Sequence, residues 1–394
     1  MKLSGIEVLD FSQFMPGPTL GATLADHGAR VIKVEPPAGD PARRDPAGPG
    51  DFLAACNRGK QSLCLDLKHP QGLRVALALA ARADVVVESF RPGVAERLGL
   101  GYAALSALNP RLVYCSLTAF GQTGPLRDLG GHDSVVQALG GSLPRAADGT
   151  PITGGVPVSA LVGSLTGLAA ILMALLRVKD SGVGDYLDIA LHDSLLNARP
   201  YALRRALGQA HDTAMPAQED LAMLGAYRCA DGQWLCLGGR ELHFCRRLFT
   251  PLGRPDLIPC AVGPGGRGQQ VVRDFLERTF ASDSREHWLG WLDAHQVSAA
   301  PVLDLGQALR HPHVQARAML LEDEQGATHY AGALRFRNEP CNPDLHVPRL
   351  GEHNDLLLAE LGLDADARDA LYRSGALVRA PDEDDVRGRP PLGR

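Results

Sequence analysis

Residues 6–35 read IEVLDFSQFMPGPTLGATLADHGARVIKVE, and this stretch decides the fold class. Ile6-Glu7-Val8-Leu9-Asp10 and Val31-Ile32-Lys33-Val34-Glu35 are short apolar runs of strand length, rich in β-branched residues. Between them, Gly17-Pro18 opens a helix that runs through Leu24-Ala25. Proline suits a first helical turn because its φ is preset there and the N–H it lacks would go unpaired anyway. His27-Gly28-Ala29 stops the helix. Strand, helix and strand within 30 residues resemble half of a dinucleotide-binding fold. However, Met15-Pro16-Gly17-Pro18-Thr19-Leu20-Gly21 lacks the GxGxxG spacing, so a dinucleotide site does not follow.

The same alternation continues outward. Pro36 to Gly50 is a loop, and Leu63 to Leu67 a strand. Gln71 to Arg82 is a helix, Ala83 to Glu88 a strand and Arg111 to Leu117 another. After a long apolar segment, Asp185 to Ala190 is a strand and Asp193 begins a helix. Alternating strands and helices predict a largely parallel sheet covered on both faces.

From Gln209 to Asp220 the chain is polar and loop-like, and the pattern then changes. Tyr227 to Leu237 reads as a hairpin turning at Asp231-Gly232. Gly238-Gly239-Arg240-Glu241 leads into an amphipathic helix, and Pro255 to Arg267 is a Gly/Pro-rich loop. Val271 to Phe280 and Arg285 to His295 are helices, and Ala300-Pro301-Val302 is a short strand. Gly351 to Gly375 is a closing helical segment, and the charged, Pro-rich Ala380 to Arg394 reads as a disordered or draped tail.

With 394 residues the chain exceeds one ordinary core. The predicted organisation is a large domain over 1–200, a small α+β domain over 201–320, and a return to the large domain over 321–394. The net charge of −5 gives no basic footprint for nucleic acid. The apolar run 161–176 is short for a bilayer and broken by Gly, Ser and Thr, so no membrane span is expected. None of the eight cysteines forms a Cys-x-x-Cys pair, and the opening residues carry no signal-peptide pattern. Reduced thiols in a cytoplasmic setting, and no bound metal, are expected.

Two places carry candidate chemistry. Lys33, Arg43, Arg44, Arg58, Lys60, Arg91 and Arg97 gather near the predicted C-terminal ends of strands. They read either as a solvated surface or as a phosphate site, since open α/β sheets bind ligands in that crevice and Arg forks match phosphate oxygens. The second place is 130–177, GGHDSVVQALGGSLPRAADGTPITGGVPVSALVGSLTGLAAILMALLR. His132-Asp133 opens a short apolar helix, a Gly/Pro/Asp-rich loop follows, and a long apolar helix begins near Pro157-Val158-Ser159-Ala160. Gly163, Ser164 and Gly167 predict close backbone approach and a helix buried on most sides. Its first N–H groups are expected to face an anion or thioester oxygen.

Phe120-Gly121-Gln122-Thr123-Gly124-Pro125, Glu88-Ser89-Phe90-Arg91-Pro92-Gly93, Asn57-Arg58-Gly59-Lys60 and Val31-Ile32-Lys33-Val34-Glu35 together resemble the motifs of the family III CoA-transferases. That family also includes formyl-CoA transferase, carnitine CoA-transferase and α-methylacyl-CoA racemase. The resemblance runs from Leu9 to Gly351-Glu352-His353-Asn354. It implies a large doubly wound α/β domain built from both chain ends, a smaller domain, and an interlocked homodimer. It also implies that acyl-CoA and a carboxylic acid acceptor are the substrates. The coenzyme A thioester is then expected at Lys33, Arg58, Lys60, Ser89, Phe90, Arg91, Arg97, Gly238 and Gly239.

In such transferases an Asp at the start of the apolar helix attacks the thioester, giving an anhydride and then an aspartyl-CoA thioester. Here Gly155-Val156-Pro157-Val158-Ser159-Ala160-Leu161 puts Ala160 on that Asp, and a methyl group is no nucleophile. In the racemase branch a His and that Asp flank the α-carbon; His132 falls on the His and Glu241 on its supporting Glu. Asp133 and Asp128 are nearby carboxylates off the expected position. Three readings stay open: a transferase whose Asp has been replaced, enolate chemistry through His132, and a CoA-thioester-binding protein without turnover.

Overall fold

The computed structural model describes residues 1–44, 51–146, 148–208, 221–263 and 267–379. The loop expected over 209–220 and the tail expected over 380–394 lie outside the described residues. Two compact units emerge: Met1–Pro200 with the return segment from Met319, and Tyr201–Ala318.

The first unit is built on β1 (Glu7–Asp10), α1 (Pro16–Asp26), β2 (Arg30–Glu35), α2 (Asp51–Asn57), β3 (Gln61–Cys64), α3 (Pro70–Ala80), β4 (Val85–Glu88), α4 (Val94–Arg97), α5 (Tyr102–Leu108), β5 (Val113–Thr118), α6 (Asp133–Leu139), α7 (Val158–Ser181), β6 (Asp185–Ala190) and α8 (Leu191–Asn197). All six strands pair in parallel, in the order β3-β2-β1-β4-β5-β6. The central strands of such a sheet are buried on both faces, so they read as apolar runs and not as alternation. Val85–Glu88 and Val113–Thr118 are buried at every position.

One face of the sheet carries Leu9, Ile32, Leu63, Val86 and Tyr114 against α3, α5 and the closing helices Asn354–Glu360 and Ala365–Ser374. The other face carries Val8, Val31, Val87 and Cys115 against α1 and α7. The return segment is stitched to β3 by Asn354, whose Oδ1 accepts the Cys64 N–H at 2.9 Å. Both ends of the chain therefore contribute to one core.

Helix α7 departs from expectation. Gly163, Ser164, Gly167, Leu168, Ile171, Ala174 and Val178 form a buried stripe, and at Gly167 a β-carbon would fall 2.8 Å from Leu20. The opposite stripe is open: Leu165, Met173 and Leu176 are 62%, 69% and 65% exposed. The helix is thus half-covered and not buried on most sides. By length and composition alone α7 could cross a membrane, but its inner stripe is part of the sheet's core.

The second unit holds α9 (Pro200–Ala206), apart from its first residue, and the antiparallel sheet β7 (Ala226–Arg228), β8 (Trp234–Leu237) and β9 (Ala299–Pro301). Packed with that sheet are α10 (Leu242–Phe249), α11 (Ile258–Val262), α12 (Arg267–Phe280) and α13 (Arg285–Ala294). The hairpin turns at Gly232, whose φ of +80° only glycine adopts without strain. The stretch from Pro255 is not a loop: Pro255–Leu257 is a 3₁₀ turn leading into α11, because Leu257 and Ala261 bury into the core. All eight cysteines are free thiols.

Candidate active site

With strand order 3-2-1-4-5-6, successive connections leave β1 in opposite directions, opening a crevice beyond the C-terminal ends of β1 and β4. Two loops meet there. Gln13, after β1, donates its N–H to Ser89 Oγ, after β4, at 3.0 Å. Phe90 donates its N–H to Glu88 Oε2 at 2.7 Å, and its ring lies 6.5 Å from that of Phe11. Arg91 is exposed. Its guanidinium lies so close to Gly130 that a β-carbon there would fall 2.9 Å from Nη2. Arg91 thus reaches the start of the His132 loop. Arg97 is also exposed and folds back over Gly93, which turns the chain at φ +82°.

His132 is the N-cap of α6, and its ring meets the Phe14 ring edge-on at 5.8 Å. Among the described residues no hydrogen bond holds the imidazole. Next to it, Asp133 has a different task. Its Oδ1 accepts the Ser159 N–H at 2.8 Å, the Ala160 N–H at 3.1 Å and the Ser159 hydroxyl at 2.5 Å, while Gln137 Nε2 donates to Oδ2. The first-turn N–H groups of α7, which would otherwise be orphans, are therefore taken up from within. Val158 N–H goes to Val156 O and Leu161 N–H to Pro157 O. This corrects the expectation that the α7 entrance offers free N–H groups to a thioester oxygen. Ala160, 4% exposed, presents only a methyl group beside this cap.

Three residues expected to meet coenzyme A phosphates pair with carboxylates inside the chain. Lys33 is 1% exposed, pairs with Asp40 at 2.7 Å and donates to Ser12 O at 2.9 Å. Lys60 is buried against Asp10 Oδ2 at 2.9 Å, Pro18 O at 2.9 Å and Asn57 Oδ1 at 3.0 Å. Arg58 is buried against Asp26 at 2.8 Å. A buried cation needs an opposite charge, and these cations have theirs inside the chain. Arg43 likewise forks onto Glu35 at 2.6 and 2.7 Å, whereas Arg44 is exposed.

The remaining expected site residues lie in the second unit. Glu241, expected beside His132, is an exposed N-cap of α10. Gly239 packs tightly under Phe244, where a β-carbon would fall 2.5 Å from the ring, and Gly238 donates to Ser298 O at 2.9 Å.

Sequence reasoning missed Asp10, Asp40, Phe14 and Glu88 as organisers of the crevice. Burial raises the Glu88 carboxyl to about 7, against the lowering effect of the Ser116 hydroxyl and the Phe90 N–H, with Glu96 and Asp188 adding negative charge nearby. Asp10, although fully buried, lies below the usual carboxylate range, because Lys60, Lys33 and Ser12 outweigh desolvation. Asp10 and Asp40 each stand at the C-terminal edge of a strand–turn segment, a position that a sequence signal could have flagged; Phe14 carried none.

The CoA-transferase family III model matches residues 3–354, and the chain belongs to that family. It is 34% identical to succinate–glutarate CoA-transferase of Agrobacterium fabrum, over 91% of this chain and 95% of that one. It is 30% identical to human alpha-methylacyl-CoA racemase, over 95% of this chain and 96% of that one. The crystal structure of a CAIB/BAIF family protein from Brucella suis superposes with a TM-score of 0.78 at 30% identity, covering 91% and 99% of the two chains.

Proposed function

We propose that this protein binds an acyl-CoA thioester in the β1/β4 crevice and acts on its acyl group without an enzyme-bound intermediate at residue 160, with His132 as the acid–base group. The observation that carries this reading is the pairing of Ala160 with a fully engaged Asp133. A carboxylate that already accepts two N–H groups, a hydroxyl and an amide is a poor nucleophile, and alanine is none. His132 is an exposed titratable side chain at the site, with Arg91 reaching the start of its loop as a fork for an anionic group of coenzyme A.

In this chemistry the neutral imidazole takes the α-proton, leaving the electron pair in the thioester enolate, and the imidazolium returns a proton to carbon. Relatives named as a racemase and as CoA-transferases are both compatible with a thioester held at this place. Incubation with propionyl-CoA in D2O should place deuterium at the α-carbon, and His132→Gln should abolish the exchange. Exchange that persists in His132→Gln would overturn the assignment.

CoA transfer between an acyl-CoA and a carboxylic acid is the second reading, favoured by the transferase relatives covering nearly the whole chain. Without a nucleophile at 160, the acceptor's own carboxylate must attack the thioester. The resulting mixed anhydride is then opened at the acceptor carbonyl by the released CoA thiolate. Ala160→Asp would convert this to a covalent route, read as an aspartyl hydroxamate after hydroxylamine.

A further inference from the structure

Phe14 has a backbone that its side chain does not favour. Its φ is +61°, and among the described residues only Gln296 and Ala318 share a positive φ without being glycine. For a bulky side chain such a conformation is strained and persists only where surrounding contacts impose it. Burial of the ring does not compensate, since Phe14 is 39% exposed. The described aromatic contact of that ring is the edge-on meeting with His132.

What imposes the conformation is a set of buried charges. Asp40, 0% exposed, accepts the Phe14 N–H at 3.3 Å and the Ala42 N–H at 2.9 Å through Oδ1, while its Oδ2 pairs with Lys33. Lys33 holds the same loop from its other side through Ser12 O. Asp10, anchored by Lys60, accepts the Ser12 N–H at 2.9 Å together with the Ser12 hydroxyl, and Gln13 is tied to Ser89. Each backbone N–H from Ser12 to Phe14 thus has a side-chain acceptor. Fixing a short loop this thoroughly, with charges withdrawn from water, calls for a purpose at its tip.

We propose that Phe14 is a positioning residue for His132, and that the Lys33–Asp40 pair is the buried anchor that holds Phe14 in place. The imidazole has no hydrogen bond of its own among the described residues, so the aromatic edge is what restricts its rotation. The catalytic consequence rests on the reading of His132 as the acid–base group, but the contact itself does not.

The test uses the full-length protein labelled with ¹³C at histidine, with the His132 resonance assigned by its loss in His132→Gln. Phe14→Gly is the leading variant, because glycine adopts a positive φ without strain and the fold should survive the change. It should move the His132 imidazole resonances. It should also lower the α-proton exchange rate of bound propionyl-CoA by about tenfold or more, with KM changing less than about twofold. Phe14→Tyr keeps the ring and should restore both. Asp40→Asn should reproduce the Phe14→Gly spectrum by releasing the loop; if it does not fold, Phe14→Gly decides alone. His132 resonances unchanged in Phe14→Gly would overturn the proposal. Exchange unaffected by His132→Gln would instead overturn the base assignment, leaving the resonance measurement to decide the positioning.

Discussion

A single carboxylate explains why position 160 tolerates alanine. Asp133 reaches across from α6 to the first turn of α7 and accepts the N–H groups of Ser159 and Ala160. The positive end of a 24-residue helix is therefore neutralised from outside position 160, and the helix start does not depend on what residue 160 carries. Removing that cap should cost about 1–2 kcal/mol, as loss of a capping side chain does. Asp133→Ala should accordingly speed amide exchange at Ser159 and Ala160 by roughly tenfold, whereas Asp133→Asn, which keeps an acceptor oxygen, should lose much less. Mass-spectrometric hydrogen exchange on the 157–163 peptide reads this directly. Equal protection in Asp133→Ala and the unaltered protein would mean the helix start is held by packing alone.

Between elements, the buried Glu88 ties together the ends of β4, β5 and β6. The Ser116 hydroxyl donates to its Oε1, Gln122 Nε2 donates to Ser116 Oγ at 2.6 Å, and the Gln122 N–H reaches Asp188 at 3.0 Å. The loop carrying Phe90 and Arg91 hangs from the other oxygen. Because burial raises this carboxyl from 4.5 to about 7, the folded chain keeps a proton that the unfolded chain has already lost. The folded state then binds more protons across this window, so stability falls as pH rises from about 4.5 through about 7. The shift corresponds to at most about 3 kcal/mol. Glu88→Gln removes the titration while keeping an acceptor for Phe90. It should lack this fall between pH 5 and 8, and at pH 8 its stability should exceed that of the unaltered protein in urea unfolding. Parallel pH profiles for the two proteins would assign the slope to other groups.

At the scale of the whole molecule, the open stripe of α7 stands out, since Leu165, Met173 and Leu176 are large apolar side chains facing outward from a helix whose other side is core. Contiguous apolar surface of this kind marks an interaction face. We propose that a second copy of the chain covers it, the homodimer that the family resemblance implies. Sedimentation equilibrium at micromolar concentration should return twice the 41.9 kDa chain mass, and a stable single-chain mass would exclude it. The strands, the parallel sheet and the long apolar helix were legible in the sequence because they follow from local patterns: apolar runs, glycine and proline stops, and a βαβ repeat. The family was legible through short motifs in fixed order, and so was the alanine at position 160. The roles of the charged residues were not. Lys33, Arg58 and Lys60 read as cations near strand ends, yet Arg58 and Lys60 precede the first residue of β3, and a sequence does not say whether a cation meets solvent or an internal carboxylate. Asp40, Asp10 and Asp26 answer that question through contacts reaching 7 to 50 positions along the chain. Tertiary structure alone made those pairings, because only folding removes the water that would otherwise have been each charge's partner.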